Sequence, residues 1–186
     1  SPQTDFIASE ISVEALANAV SDRKLLFHHH ERDAANLLWR YTKHPFFKHI
    51  CLALESKNVE TYLVIRIETH AEFTIAHVLD IFHFGSQVGP IAECLEQFGK
   101  QNQIDLMDFT CTSSHLTAPL WKAGWLSVSQ NEDCQYPHLF NPMEFRNPPT
   151  INMVFWCKDR MTDFCNLADL YITKGDNDAD RPTAQY

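Results

Sequence analysis

No stretch of this 186-residue chain reaches the roughly 18 uninterrupted apolar residues that a membrane-crossing helix needs, so no span is expected. No long run of basic residues occurs, and the formal net charge is −9. An acidic chain is repelled by phosphate backbones, so nucleic acid is not expected as a partner. None of the six cysteines forms a CxxC pair. Cys94 falls in a helix-like run, and Cys51, Cys111 and Cys157 fall in strand-like runs, a scatter that suits buried thiols acting as small hydrophobes. A chain of this length needs no disulfide staples, which points to a reducing, cytoplasmic setting. No signal-peptide pattern, nucleophile-elbow motif, internal repeat or low-complexity block is present. What the chain does have is apolar mass. Its residues are 45% hydrophobic, and thirteen Phe and four Trp imply a large aromatic core, an apolar cleft, or both.

The order of patterns suggests one mixed domain over 1–186, with a loop over 131–150 and an acidic tail over 175–186. Asp5–Glu10 is a short β-like run. Ser12–Ala19 starts on a capping serine and places Ala15, Leu16 and Ala19 at helical spacing. His28–His30 reads as a solvated turn, because no second ligand cluster accompanies it to make a metal site. Arg32–Tyr41 reads as a second helix, ended by Pro45. Ile50–Leu54 and Tyr62–Glu68 are strand-like, joined by a polar connection, and Phe73–Phe84 is a longer strand. Ile91–Gln101 is a helix with Ile91, Cys94, Leu95 and Phe98 on one face. Ile104–Thr110 alternates as a strand does, Ser114–Ala123 is a helix stopped by Gly124, and Trp125–Val128 is strand-like. Four of the nine prolines fall between Asn131 and Pro149, and Ile151–Cys157 reads as an inner strand.

With only five glycines in the chain, the loop that carries Gly85 and Gly89 stands out. It joins a β-run to a helix start, a place where backbone N–H groups and the helix dipole favour phosphate. The succession of strands, glycine-bearing loop, helix, strand, helix and Gly124-Trp125 resembles the GNAT acyltransferase superfamily. So do Leu38-Trp39-Arg40-Tyr41 with His44-Pro45, Thr74 to Asp80 as a fourth strand, and Ile172-Thr173-Lys174-Gly175-Asp176 with Asp178 to Pro182. The branch it is similar to consists of uncharacterised bacterial proteins. The resemblance runs from about Asp5 to Pro182 and implies an α+β fold, a mostly antiparallel sheet of about six to seven strands flanked by about four helices. It also implies acetyl-CoA or another acyl-CoA as co-substrate, with no metal. The acceptor would be a small amine, such as an amino sugar, and a homodimer or a neighbouring domain stays open as protein partner.

Laid on this chain, the pyrophosphate loop of the family becomes Gln87-Val88-Gly89-Pro90-Ile91-Ala92. Gln87 and Ala92 match, but Pro90 stands where the family has glycine, and proline supplies no N–H. The resemblance therefore leaves Gln87, Val88, Gly89, Ile91 and Ala92 to bind cofactor, with Ser114 beside the CoA arm or as a helix cap. The tyrosine that protonates the departing thiolate in many members is replaced by Leu120, so that proton must come from another group or from water. Acyl transfer to an amine also needs a base. Glu68, His77, Asp80 and His83 are the candidates, with Asp80 between Leu79 and Ile81 in an apolar setting that suits a raised pKa. His83 lies beside the loop, in the pKa range of a general base. Pro90 and Leu120 equally fit a different class of protein, a catalytically inactive GNAT-fold binding or assembly domain of a longer chain. Asp176-Asn177-Asp178-Ala179-Asp180 is similar to the opening of a calcium loop, but Arg181 replaces the needed glycine. A docked tail or an acidic lid is expected there instead.

Overall fold

A computed structural model describes residues 7–21, 23, 28–29, 32–56, 59–70, 72–84, 89–127 and 170–176. In chain order these form β1 (Ile7–Ile11), α1 (Val13–Val20), β2 (His28–His29), α2 (Ala34–Thr42), β3 (Ile50–Ser56), β4 (Val59–His70), β5 (Phe73–His83), α3 (Gly89–Gln101), β6 (Leu106–Phe109), α4 (Ser114–Lys122) and β7 (Leu170–Tyr171), then a 3-10 turn at Lys174–Asp176. The fold is α+β. One mixed sheet runs β1-β3-β4-β5-β6, and a second, two-stranded sheet pairs β2 with β7 in parallel. The β3-β4-β5 meander is antiparallel, and α3 then carries the chain back to a parallel β6.

Local chemistry sets the helix ends. Ser12 accepts from the Ala15 N–H and Asp33 accepts from the Asn36 N–H, each satisfying a donor that the first turn leaves without a partner. Arg32 therefore lies before α2 rather than within it. Gly124, at φ 99°, closes α4: its N–H bonds Trp121 O and the Trp125 N–H returns to Leu120 O. That paired closure needs a left-handed residue, which glycine supplies without strain. It also corrects the expected strand at Trp125–Val128. Residues 125–127 are irregular, because Trp125 spends its N–H on the helix end. The expected loop at 131–149 and strand at 151–157 lie outside the described residues.

Helices cover both faces of the sheet. On one side α3 and α4 set Ile91, Leu95, Leu116 and Leu120 against Leu54, Leu63, Ile65, Val78 and Ile81. On the other, α1 and α2 set Leu16, Val20, Leu37 and Tyr41 against Ala53, Tyr62, Val64, Leu79 and Phe82. Each such aliphatic side chain contributes about 1.5–3 kcal/mol through its removal from water.

Strict alternation along β5 predicts His77, Leu79, Ile81 and His83 on one face. The pairing breaks that rule. Val64 faces Asp80 while Ile65 faces Val78, so Leu79 has no opposite residue on β4. One extra residue in one strand is a β-bulge, and it reverses the alternation beyond it. Asp80 and Phe82 thereby join His77 and Leu79 on the α1/α2 side, and Ile81 joins Val78 on the other. His83 falls opposite Thr61, in register with Leu63 and Ile65, and so turns toward the α3/α4 side.

Candidate functional site

The bulge places two adjoining polar clusters on the α1/α2 side of the sheet. The first surrounds Asp80, a buried carboxylate with both oxygens engaged. Tyr171 Oη donates to Oδ1 at 2.5 Å, Tyr41 Oη donates to Oδ2 at 3.2 Å, and Arg32 Nε reaches Oδ2 at 3.0 Å. Arg32 Nη2 continues to Asp176 Oδ2 at 2.6 Å, and that carboxylate also accepts the Thr173 N–H at 2.9 Å. Burial alone would lower the Arg32 pKa, yet Asp80 and Asp176 raise it above its ordinary value. Burial pushes Tyr41 and Tyr171 well above the ordinary phenol value, and the neighbouring Asp80 charge adds to this. Asp80 was expected to be a desolvated base. Its surroundings are those of a compensated ion pair, buried away from solvent, where a base that must meet a substrate ammonium is poorly placed.

The second cluster crosses three strands in one row. The register sets Arg66 of β4 opposite His77 of β5, and His77 opposite Asp108 of β6. His77 Nδ1 lies 2.9 Å from Asp108 Oδ2, and His77 Nε2 lies 3.4 Å from Glu68 Oε2, an ion-pair distance rather than a tight hydrogen bond. Arg66 Nη1 donates to Glu68 Oε2 at 3.0 Å and stacks its guanidinium 3.9 Å above the Phe47 ring. Lys174, from the 3-10 turn, closes the row with Nζ at 2.7 and 2.6 Å from the two Asp108 oxygens and 3.2 Å from His77 Nδ1. His77 and Lys174 are buried, whereas the Glu68 and Asp108 side chains keep 27% and 31% of their surface in solvent. The row therefore has wet acidic ends and a dry histidine between them.

These contacts set the charges. Burial opposes the imidazolium, but the Asp108 hydrogen bond and Glu68 outweigh it, so the His77 pKa is raised. Burial likewise opposes the Asp108 carboxylate, but Lys174 and His77 hold its pKa well below the usual range. The signs give a pH prediction. Asp108 stabilises the fold above its unfolded pKa of about 4, and that contribution disappears as pH falls through its native value. His77 stabilises below its unfolded pKa of about 6.5, and that contribution disappears as pH rises through its native value. The pair therefore acts together between about pH 4 and 6.5. Asp176 works in the opposite sense: burial raises its pKa in spite of Arg32, so it withdraws stability as pH climbs past about 4. Urea midpoints against pH are expected to show a flatter acid limb in Asp108→Asn and a flatter alkaline limb in His77→Gln.

The turn that carries Lys174 and Asp176 is held by close packing. A Cβ on Gly175 would lie 2.6 Å from Tyr41 Oη and 3.3 Å from both Leu79 O and Thr173 Oγ1. Tyr41 Oη is fixed by Asp80 and has little freedom to retreat. Gly175→Ala is expected to cost about 1–3 kcal/mol in chemical denaturation, by overpacking.

The remaining predicted residues that the structure describes are dispersed. His83 is buried on the far face with Nδ1 2.7 Å from Thr61 Oγ1, apart from both clusters. Ile91 and Ala92 put their side chains into the core, so only their first-turn N–H groups, with that of Gly89, face the helix start. Gln87 and Val88 lie outside the described residues. Ser114 is exposed and opens α4. The cap position belongs to Ser113, whose buried Oγ makes no cap bond. Arg32, Tyr41, Asp108, Tyr171 and Lys174 are not among the sequence candidates, although Lys174 and Asp176 lie in the Ile172-Thr173-Lys174-Gly175-Asp176 stretch that carries part of the resemblance. Among the described residues no group of three His, Cys, Asp or Glu is arranged to hold a metal, and no helix is long and apolar enough to cross a membrane.

The edge of β5 has one more relevant feature. β5 and β6 pair only over Ile75–Val78 and Leu106–Phe109. Beyond that the Ile81 N–H, on the edge away from β4, is taken at 2.6 Å by Tyr171 Oη. Leu170, Ile172 and Thr173 are tied to Cys111 and Thr112 in the same gap. No protein-family model, no curated protein and no solved structure matches this chain.

Proposed function

We propose that the protein is an acyl-CoA-dependent N-acyltransferase of GNAT-like design, a cytoplasmic enzyme that transfers an acetyl or other acyl group to a small amine. One observation carries this reading. A parallel strand pair, β5 and β6, comes apart beside a bulge in β5, with α3 and α4 beginning past the two C-terminal strand ends. Ligands of open sheets gather at such ends, and helix N-termini favour the charge of a pyrophosphate. Gln87, Val88, Gly89, Ile91 and Ala92 would receive the pyrophosphate, Ser114 would lie along the CoA arm, and β5 backbone donors would face the thioester carbonyl. Of the candidate bases, Glu68 fits best. It is part-exposed, and from its place opposite Ile75, at the start of the β5–β6 pairing, its carboxylate reaches His77 in the polar row, one residue before the pairing ends. Asp80 and His83 are assigned to holding the fold.

A specific observation favours the second alternative, a non-catalytic binding or assembly domain. Tyr171 Oη occupies the Ile81 N–H and the 170–176 segment fills the gap between the strands. The two accounts part on turnover. Purified protein with acetyl-CoA and a panel of amino sugars, polyamines and amino acids should release free thiol with at least one amine. Absence of amine-dependent release over the whole panel would favour the binding domain.

A further inference from the structure

Resting on the acyltransferase reading, we infer that His77 and Asp108 are positioning residues for Glu68, with buried His77, held by Asp108, as the proton acceptor behind the base that meets the amine. Three facts of geometry lead here. Glu68 is the part-exposed end of the row, while His77 is buried behind it. His77 lies between two carboxylates, with Nε2 toward Glu68 and Nδ1 toward Asp108. Asp108 is itself fixed through both oxygens by Lys174. Neutral His77 with its proton on Nδ1, donated to Asp108, leaves the Nε2 lone pair facing Glu68, an orientation set by the partner of the other ring nitrogen.

The substrate ammonium gives one proton to the Glu68 carboxylate, which passes it to His77 Nε2. The imidazolium so formed lies between two anions. The free amine nitrogen bonds to the thioester carbon, and the C–S bond breaks with its electron pair passing to sulfur. The thiolate takes the second proton, shed by nitrogen as the amide forms. His77 returns the first proton to solvent through Glu68. Overall, ammonium and thioester give amide, thiol and one proton. No tyrosine at position 120 is required, which agrees with Leu120 there.

Among the described residues the charged groups facing His77 are Arg66 and Glu68 from β4, Asp108 from β6 and Lys174 from the 3-10 turn. The two carboxylates favour the imidazolium, and Lys174 opposes it. Removing the Asp108 charge should therefore lower the pKa at which the acceptor becomes competent.

The test uses the intact protein with two readouts. Thiol release from acetyl-CoA with the best amine of the panel is followed against pH in wild type, Asp108→Asn and Asp108→Glu, and His77 is titrated by NMR in the same proteins. The expected result is an ascending kcat/KM limb that moves about one pH unit lower in Asp108→Asn, with a lower plateau, and returns toward wild type in Asp108→Glu. The NMR pKa of His77 should follow the limb. A limb that stays in place while the rate falls would overturn the inference, since a purely structural role predicts that pattern. So would a His77 pKa indifferent to Asp108→Asn, a result that needs no turnover at all. Wild-type protein that releases no thiol with any amine would refute the acyltransferase reading instead, and this inference with it.

Discussion

Arg32→Ala is expected to lower the unfolding free energy by about 3–5 kcal/mol, because it strands a buried carboxylate. The Arg32 guanidinium touches Asp80 at 3.0 Å and Asp176 at 2.6 Å, with only 4% of its side chain in solvent. Without it, the two carboxylates share a dry pocket with two tyrosine hydroxyls and no cation at hydrogen-bonding distance among the described residues. For a chain of this size the loss corresponds to a melting temperature lower by roughly 10 °C. Thermal and urea unfolding of the variant beside wild type measure it directly. A loss below about 1 kcal/mol would mean that water reaches the pair, as at an ordinary surface salt bridge.

Glu68→Gln is expected to have the largest effect on activity. A positioned base contributes about 100- to 10,000-fold to rate. The substitution keeps the shape and the Arg66 contact but removes the charge, so kcat/KM should fall by that range with the best amine. Stability should change little, within about 0.5–1 kcal/mol, because the side chain is part-exposed. Asp80→Asn should show the reverse balance, with stability falling and any surviving folded protein turning over. If Glu68→Gln keeps full activity while Asp80→Asn folds normally and is inactive, the assignment of the base is wrong.

Much of the architecture was legible because it follows from local patterns. Ser12 before an amphipathic run, Gly124 after one, and the alternating stretches from Ile50 to Phe84 each encode their element in adjacent residues. The bulge at Leu79 was not legible. It is a property of pairing between β4 and β5, and nothing in Thr74 to Asp80 signals an extra residue. That single residue decides which face Asp80 occupies, and so places it at the centre of an ion-pair network. The partners of Asp80 were equally hidden. Arg32 looked like the start of a helix, and the contact that explains it lies 144 residues away at Asp176. Glu68 and His77 were visible as candidates, but Asp108 and Lys174 join them only once a parallel crossover brings β6 beside β5. The Trp125 strand failed for a different reason, since an apolar residue after Gly124 serves a helix closure as readily as a strand start.

The central claim, an acyl-CoA site at the separation of β5 and β6, is tested most directly by ligand-dependent unfolding. A ligand that binds only the native state stabilises it by mass action, by about 2.7 kcal/mol at one hundred times its Kd. Melting curves with acetyl-CoA, CoA and desulfo-CoA are expected to show a saturable upward shift for each, weakened in Gln87→Ala. No shift at millimolar concentrations of all three would contradict the account and leave the binding domain as the better description.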